Sequence, residues 1–237
     1  MLTLYLSKTR FIKNLIIMKR IIFFITIISG LSSCEYDNYD PPQSELSGRL
    51  LYEGDPVGVR QGINIFQLYE PGWENFEPIG LNVKQDGTFS ARLFDGDYQL
   101  VLIDGNGPWV NQSDTIDIRV DGNREMDVAV EPFFMVRNEN FEIEGSTLKI
   151  SFDIEQVVES ADLQFVSLYI GKTMLVDNQF NANEKRLPSG GIEDLDETIS
   201  MEMDISGIDQ EFLFARIGIK TKGSPELIFS EAEKITF

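Results

Sequence analysis

From Leu46 onward the chain consists of short runs in which apolar and polar residues alternate, separated by turn dipeptides such as Asp86-Gly87, Asp95-Gly96 and Asp121-Gly122. A period of two sends every second side chain into a core and the others into water, which is the geometry of a half-buried strand. The expected fold class is therefore all-β, as two β-sandwiches in tandem over residues 46–131 and 132–237. The boundary is expected at Glu131-Pro132, where a proline removes a ladder donor.

In the first sandwich, strands are expected over 46–52, 63–69, 79–83, 88–94 and 97–103, with Ile63, Ile65, Tyr98, Leu100 and Leu102 inward and Phe66 a further candidate for the inner face. After a loop over 104–113, the runs 115–120 and 125–130 read as a hairpin across Asp121-Gly122-Asn123. In the second, strands are expected over 133–144, 148–154, 163–170, 174–176, 199–205, 212–220 and 227–237. The stretch 178–197, with Pro188-Ser189-Gly190-Gly191, reads as open loop.

Several motifs of the first sandwich carry a family resemblance. Gly48-Arg49-Leu50, Gly62-Ile63-Asn64-Ile65, Gln85-Asp86-Gly87-Thr88-Phe89 and Phe94-Asp95-Gly96-Asp97-Tyr98-Gln99-Leu100 resemble a carboxypeptidase-regulatory or transthyretin-like domain. That family's turn normally has wider spacing between its acid and its glycine. Its hydrolase members need histidine, so the resemblance implies a scaffold. Phe214-Ala215-Arg216-Ile217-Gly218-Ile219-Lys220 resembles the F strand of a fibronectin type III-like module, with Phe212 where such modules often place a corner tyrosine.

Ahead of the sandwiches, Lys19-Arg20, the apolar run Ile21 to Ile28 and Leu31-Ser32-Ser33-Cys34 form a basic, an apolar and a small-residue region in the order of a secretory signal, and resemble a bacterial lipobox. Eight apolar residues are too few to span a bilayer, which takes roughly 20. Residues 1–33 are expected to be a signal peptide, in which 1–17 read as an upstream start wrongly chosen or, alternatively, as an unusually long basic region. The resemblance implies that Cys34 is lipidated and anchors the protein, two acyl chains being enough for stable attachment. Residues 34–45 are then the lipidated cysteine and a tether. Its acids Glu35, Asp37 and Asp40 resemble the signal that sends Bacteroidetes lipoproteins to the outer face of the outer membrane. With both sandwiches, the chain resembles a family of two-domain Bacteroidetes lipoproteins of uncharacterised function, often encoded near glycan-uptake receptors.

Charge and composition exclude whole classes of function. Residues 1–33 hold five of the 20 basic residues and no acid, so the remainder sets 15 basic against 39 acidic residues, a formal charge of −24. Such a field repels phosphate backbones, and nucleic acid is not an expected partner. The chain has no histidine and one cysteine, which removes Ser-His-Asp and Cys-His catalysis and the usual zinc ligand sets. The Asp-Gly turns lack the spacing of calcium loops and read as turn chemistry. Acid pairs such as Glu74 and Glu77 read as solvated loop residues rather than a glycosidase dyad. No enzyme activity, metal or cofactor is expected.

The candidate ligand-binding residues are aromatic: Tyr69, Trp73 and Phe76 around Pro71-Gly72, and Trp109 after Pro108. Both tryptophans fall in expected loops, where they either stack on sugar rings or fold back over a sheet end or the second sandwich. Strand counting sends the two loops to opposite ends of the first sandwich. The expected function is an accessory carbohydrate-binding component of an outer-membrane nutrient-uptake system, on the cell surface rather than the periplasmic face. The alternative is a structural or protein-interaction module that docks onto an outer-membrane receptor.

Overall fold

The computed structural model describes residues 40–72 and 77–237, with Lys19 before them. Cys34 and the rest of the signal region, Glu35, Asp37, and Trp73 to Phe76 lie outside the described residues. Among the described residues no helix is long and apolar enough to cross a membrane.

The N-terminal sandwich contains β1 (Ser44–Tyr52), β2 (Asp55–Pro56), β3 (Phe66–Tyr69), β4 (Ile79–Gly80), β5 (Asn82–Val83), β6 (Thr88–Leu93), β7 (Gly96–Leu102), β8 (Ile116–Val120), β9 (Arg124–Glu125) and β10 (Val128–Ala129). One sheet runs β10-β1-β6-β5, with β2 and β9 also on β1, and the facing sheet runs β4-β3-β7-β8. Alternation builds the core directly: Leu46 and Leu50 of β1, Phe66 and Leu68 of β3, and Tyr98, Leu100 and Leu102 of β7 are all buried. Phe66 and Phe89 meet edge to face at 5.0 Å and join the two sheets.

Two expectations need correction here. The segment 79–83 is not one strand, because β4 pairs with β3 whereas β5 pairs with β6, and buried Leu81 marks the crossing between sheets. The expected hairpin of 115–120 with 125–130 does not form: β8 pairs with β7, and β9 and β10 run parallel to β1 in the other sheet. The turn is held as a bridge between sheets, with Gly122 N–H donating to Asp95 Oδ1 (3.0 Å) and Glu45 N–H donating to Asn123 Oδ1 (3.1 Å). Val120 and Val128 can then both be buried, on opposite inner faces. Glycine at 48 follows from this crossing, since a Cβ there would lie 1.8 Å from Met126 O.

The C-terminal sandwich contains β11 (Phe134–Glu144), β12 (Thr147–Gln156), β13 (Leu163–Gly171), β14 (Asn183–Pro188), β15 (Ile199–Asp204), β16 (Phe212–Thr221), β17 (Leu227–Phe229) and β18 (Glu233–Thr236). Its sheets are β11-β12-β15 and β14-β13-β16-β17, with β18 also on β16. Leu213, Ala215, Ile217 and Ile219 of the central strand β16 turn one face into the core, while Arg216 and Gly218 occupy the other. Residues 174–176 are not a strand, and the supposedly open 178–197 contains β14. Asp177 folds the first segment into a turn, its Oδ1 accepting the N–H groups of Gln179 (2.7 Å) and Phe180 (2.8 Å). Strand β14, Asn-Glu-Lys-Arg-Leu-Pro, is a sheet edge, where charge and proline guard against further pairing and mask the alternation.

Candidate functional site

Because Phe66 and Leu68 fill the core, Gln67 and Tyr69 of β3 stand on the outer face of the β4-β3-β7-β8 sheet, half-buried. The Tyr69 hydroxyl donates to Gln67 Oε1 (2.8 Å), which ties the ring to the sheet. In register, Tyr69 stands opposite Gln99 of β7. Gln99 Nε2 donates to Asp117 Oδ1 of β8 (3.0 Å), and beyond it Asp97 pairs with Arg119 (3.1 Å). One aromatic ring is thus set among amides and carboxylates carried on paired strands, a preorganised arrangement. The exposed Asp97–Arg119 pair adds little stability; its relevance is as a set of hydrogen-bonding groups.

The other aromatic candidates fare differently. Trp73 and Phe76 lie outside the described residues; the described chain before them ends at Gly72, which has a positive φ of 103°. Trp109 is not a stacking surface: it is 3% exposed. Its segment pairs with the start of the C-terminal sandwich, through a bridge between Trp109 and Pro132, Val110 N–H to Glu131 O (2.9 Å) and Phe133 N–H to Pro108 O (3.1 Å). The indole lies over Gly107, where a Cβ would come within 2.0 Å of the ring. Burying so large an apolar ring at the junction outweighs any gain from displaying it. The segments that follow Tyr69 and Leu102 leave opposite ends of the sandwich, because Tyr69 lies opposite Gln99 and Phe66 opposite Leu102.

Sequence reasoning missed the junction built around Arg216, whose side chain is 1% exposed. Nε donates to Ser230 O (2.8 Å), Nη1 to Val176 O (3.5 Å) and Nη2 across the junction to Gln85 O (2.6 Å). The guanidinium lies 4.4 Å from the Phe229 ring centre, a cation–π contact. Burial pulls its pKa down to about 10, opposed by the charges of Asp177 and Asp86, so it remains a cation at neutral pH. Gly58 and Phe229 pair as strands across the same junction, with Phe229 N–H donating to Gly58 O (2.9 Å). Arg60 closes one side as a fork on Glu226 (2.7 and 3.1 Å), and Arg137 the other, reaching Asp55 (2.6 Å) and Glu155 (2.7 Å). Behind Phe229 sits Tyr169, whose phenol burial pushes up to about 12. The signal that could have revealed this junction is an arginine on β16 between two apolar inward residues, at a position where an outer sheet face would normally be solvated.

Comparison with known proteins finds relatives of both halves. The family model for "Protein of unknown function (DUF3823) N-terminal domain" matches residues 44–131, and that for "Domain of unknown function (DUF3823_C)" matches residues 134–234. A DUF3823 family protein from Bacteroides ovatus is 37% identical, with a TM-score of 0.76 over 81% of this chain and 98% of that one. One from Parabacteroides merdae is 35% identical, with a TM-score of 0.75 over 83% of this chain and 100% of that one. A protein from Bacteroides uniformis described as a "putative carbohydrate binding protein" shares the fold at 17% identity, with a TM-score of 0.70 over 83% of this chain and 100% of that one. No curated protein matches.

Proposed function

The chain belongs to the DUF3823 family, whose function is unknown, and on that premise we propose that it is a non-enzymatic, lipid-anchored accessory protein that binds carbohydrate for an outer-membrane nutrient-uptake system. The observation that carries this reading is the outer face around Tyr69, where a tethered ring stands beside Gln67, Gln99 and Asp117. A sugar ring has an apolar face that packs on an aromatic ring and an equatorial girdle of hydroxyls that exchange hydrogen bonds with amides and carboxylates. These groups sit on paired strands, so little ordering entropy is lost on capture. The description of the Bacteroides uniformis protein of the same fold agrees with this reading. Screening the full chain on a glycan array is the test: retention of a defined class of oligosaccharide is expected, and retention of none counts against carbohydrate binding.

Anchoring rests on Cys34 within Leu31-Ser32-Ser33-Cys34, and surface display on Glu35, Asp37 and Asp40. Cys34→Ala is expected to move the protein from the membrane to the soluble fraction, because acyl chains supply its hydrophobic attachment. Unchanged membrane association of that variant would contradict the anchor. A second reading, a docking module for an outer-membrane receptor, is favoured by the apolar loop residues Met174, Leu175 and Phe180, which are 59%, 48% and 60% exposed.

A further inference from the structure

We propose that the groove between the two sandwiches is a docking site for an extended segment of a partner protein bearing basic and apolar side chains. The groove has a volume of about 790 Å³, within the usual range for binding clefts, and lies at a domain junction, where such clefts concentrate. Its floor is rigid: Gly58 is hydrogen-bonded to Phe229, and Arg216 is fixed by three backbone carbonyls.

The lining chooses the occupant. Met174 and Leu175 overhang the groove with 59% and 48% of their surface exposed, and Met135 and Val136 line it from β11. Methionine adapts its shape to varied apolar partners. The overhanging loop is stiff: Val176 and Asp177 are fully buried, Asp177 caps the turn, and Gln85 Nε2 donates to Met174 O (2.9 Å). Its only acid is the buried Asp177, so in this acidic chain the loop surface has the apolar, charge-poor character of an interface core. At the rim, Asp86, Glu139 and Glu231 are exposed against Lys84; Arg137 is paired with Asp55 and Glu155, and the Arg216 cation lies buried in the floor on backbone carbonyls, so the exposed groups leave the rim acidic. Rim and whole-chain charge therefore both attract a basic segment. The chain's own tether, with Glu35, Asp37 and Asp40, carries the wrong sign. A sugar is disfavoured because Phe229, the aromatic ring lining the groove, is 4% exposed beneath Arg216.

The test is binding of the full chain to an array of short synthetic peptides graded from acidic to basic and from polar to apolar. Basic, apolar peptides should be retained, should bind more weakly as salt is raised, and should lose about tenfold or more in affinity on Met174→Asp or Leu175→Asp. Glu231→Lys should shift the preference away from basic peptides, whereas Tyr69→Ala should leave peptide binding unchanged even where it abolishes glycan binding. Both apolar side chains substituted are exposed, and thermal melting of each variant controls for misfolding. The proposal is overturned if no peptide composition is preferred, or if the preferred peptides bind both aspartate variants like the parent. It is also overturned if Met174→Asp and Leu175→Asp abolish glycan capture instead.

Discussion

Arg216→Met is expected to lower the unfolding free energy by about 3 kcal/mol, the cost of leaving buried carbonyls without their donor. The three carbonyls at risk are those of Ser230, Val176 and Gln85, which belong to three separate segments, so the loss is spread over the whole junction. Methionine keeps much of the volume but donates nothing, which isolates the hydrogen bonds from simple packing. For a chain of this size the melting temperature should fall by roughly 6 to 12 °C. Arg216→Lys should recover only part of it, since a single ammonium cannot reach three carbonyls from one planar fork. Differential scanning calorimetry of the parent and both variants checks this; a melting temperature within a degree or so of the parent's for Arg216→Met would show that the fork is dispensable.

Trp109→Ala is expected to cost about 3 to 5 kcal/mol, the range for removing a buried large aromatic. The indole is 3% exposed and is held between Gly107 and the pairing with Pro132, so the surrounding backbone is poorly placed to collapse into the space. Trp109→Phe should retain a substantial part of that stability because a ring still fills the site. Guanidinium titrations monitored by circular dichroism measure the difference, and an alanine variant with an unchanged midpoint would mean that the ring is not a packing element of the junction.

The two aromatic candidates show where residue patterns stop carrying information. The face of Tyr69 was not legible: the alternation set by Ile63 and Ile65 would turn it inward, but the strand begins only at Phe66, where the phase changes, so that Phe66 and Leu68 face the core and Tyr69 faces out. Trp109 belongs to a segment without alternation, and its burial depends on the second sandwich, which local pattern does not report. The long strands β7, β12 and β15 were legible because each buries one face against a facing sheet and exposes the other. Strands β9 and β10, of two residues each, are too short to show a period, and a turn such as Asp121-Gly122-Asn123 serves a sheet-to-sheet crossing as readily as a hairpin. Residues 174–176 look like a strand because they are apolar, yet Val176 is buried to pin a loop while Met174 and Leu175 stay exposed. In the sequence Arg216 is one polar position between the apolar Ala215 and Ile217; the three-dimensional arrangement makes it a clamp on segments that lie as much as 131 positions away.

Titration calorimetry with the oligosaccharide best retained on the array, using the full chain and its Tyr69→Ala variant, tests the proposed function most directly. A single saturable site is expected in the parent, weakened about tenfold or more by Tyr69→Ala while the melting temperature barely moves, because the ring is half-buried on an outer sheet face and does not belong to the core. Equal affinity in the two proteins, or no binding heat in the parent, would contradict carbohydrate binding at this face and leave docking to a protein partner as the reading to pursue.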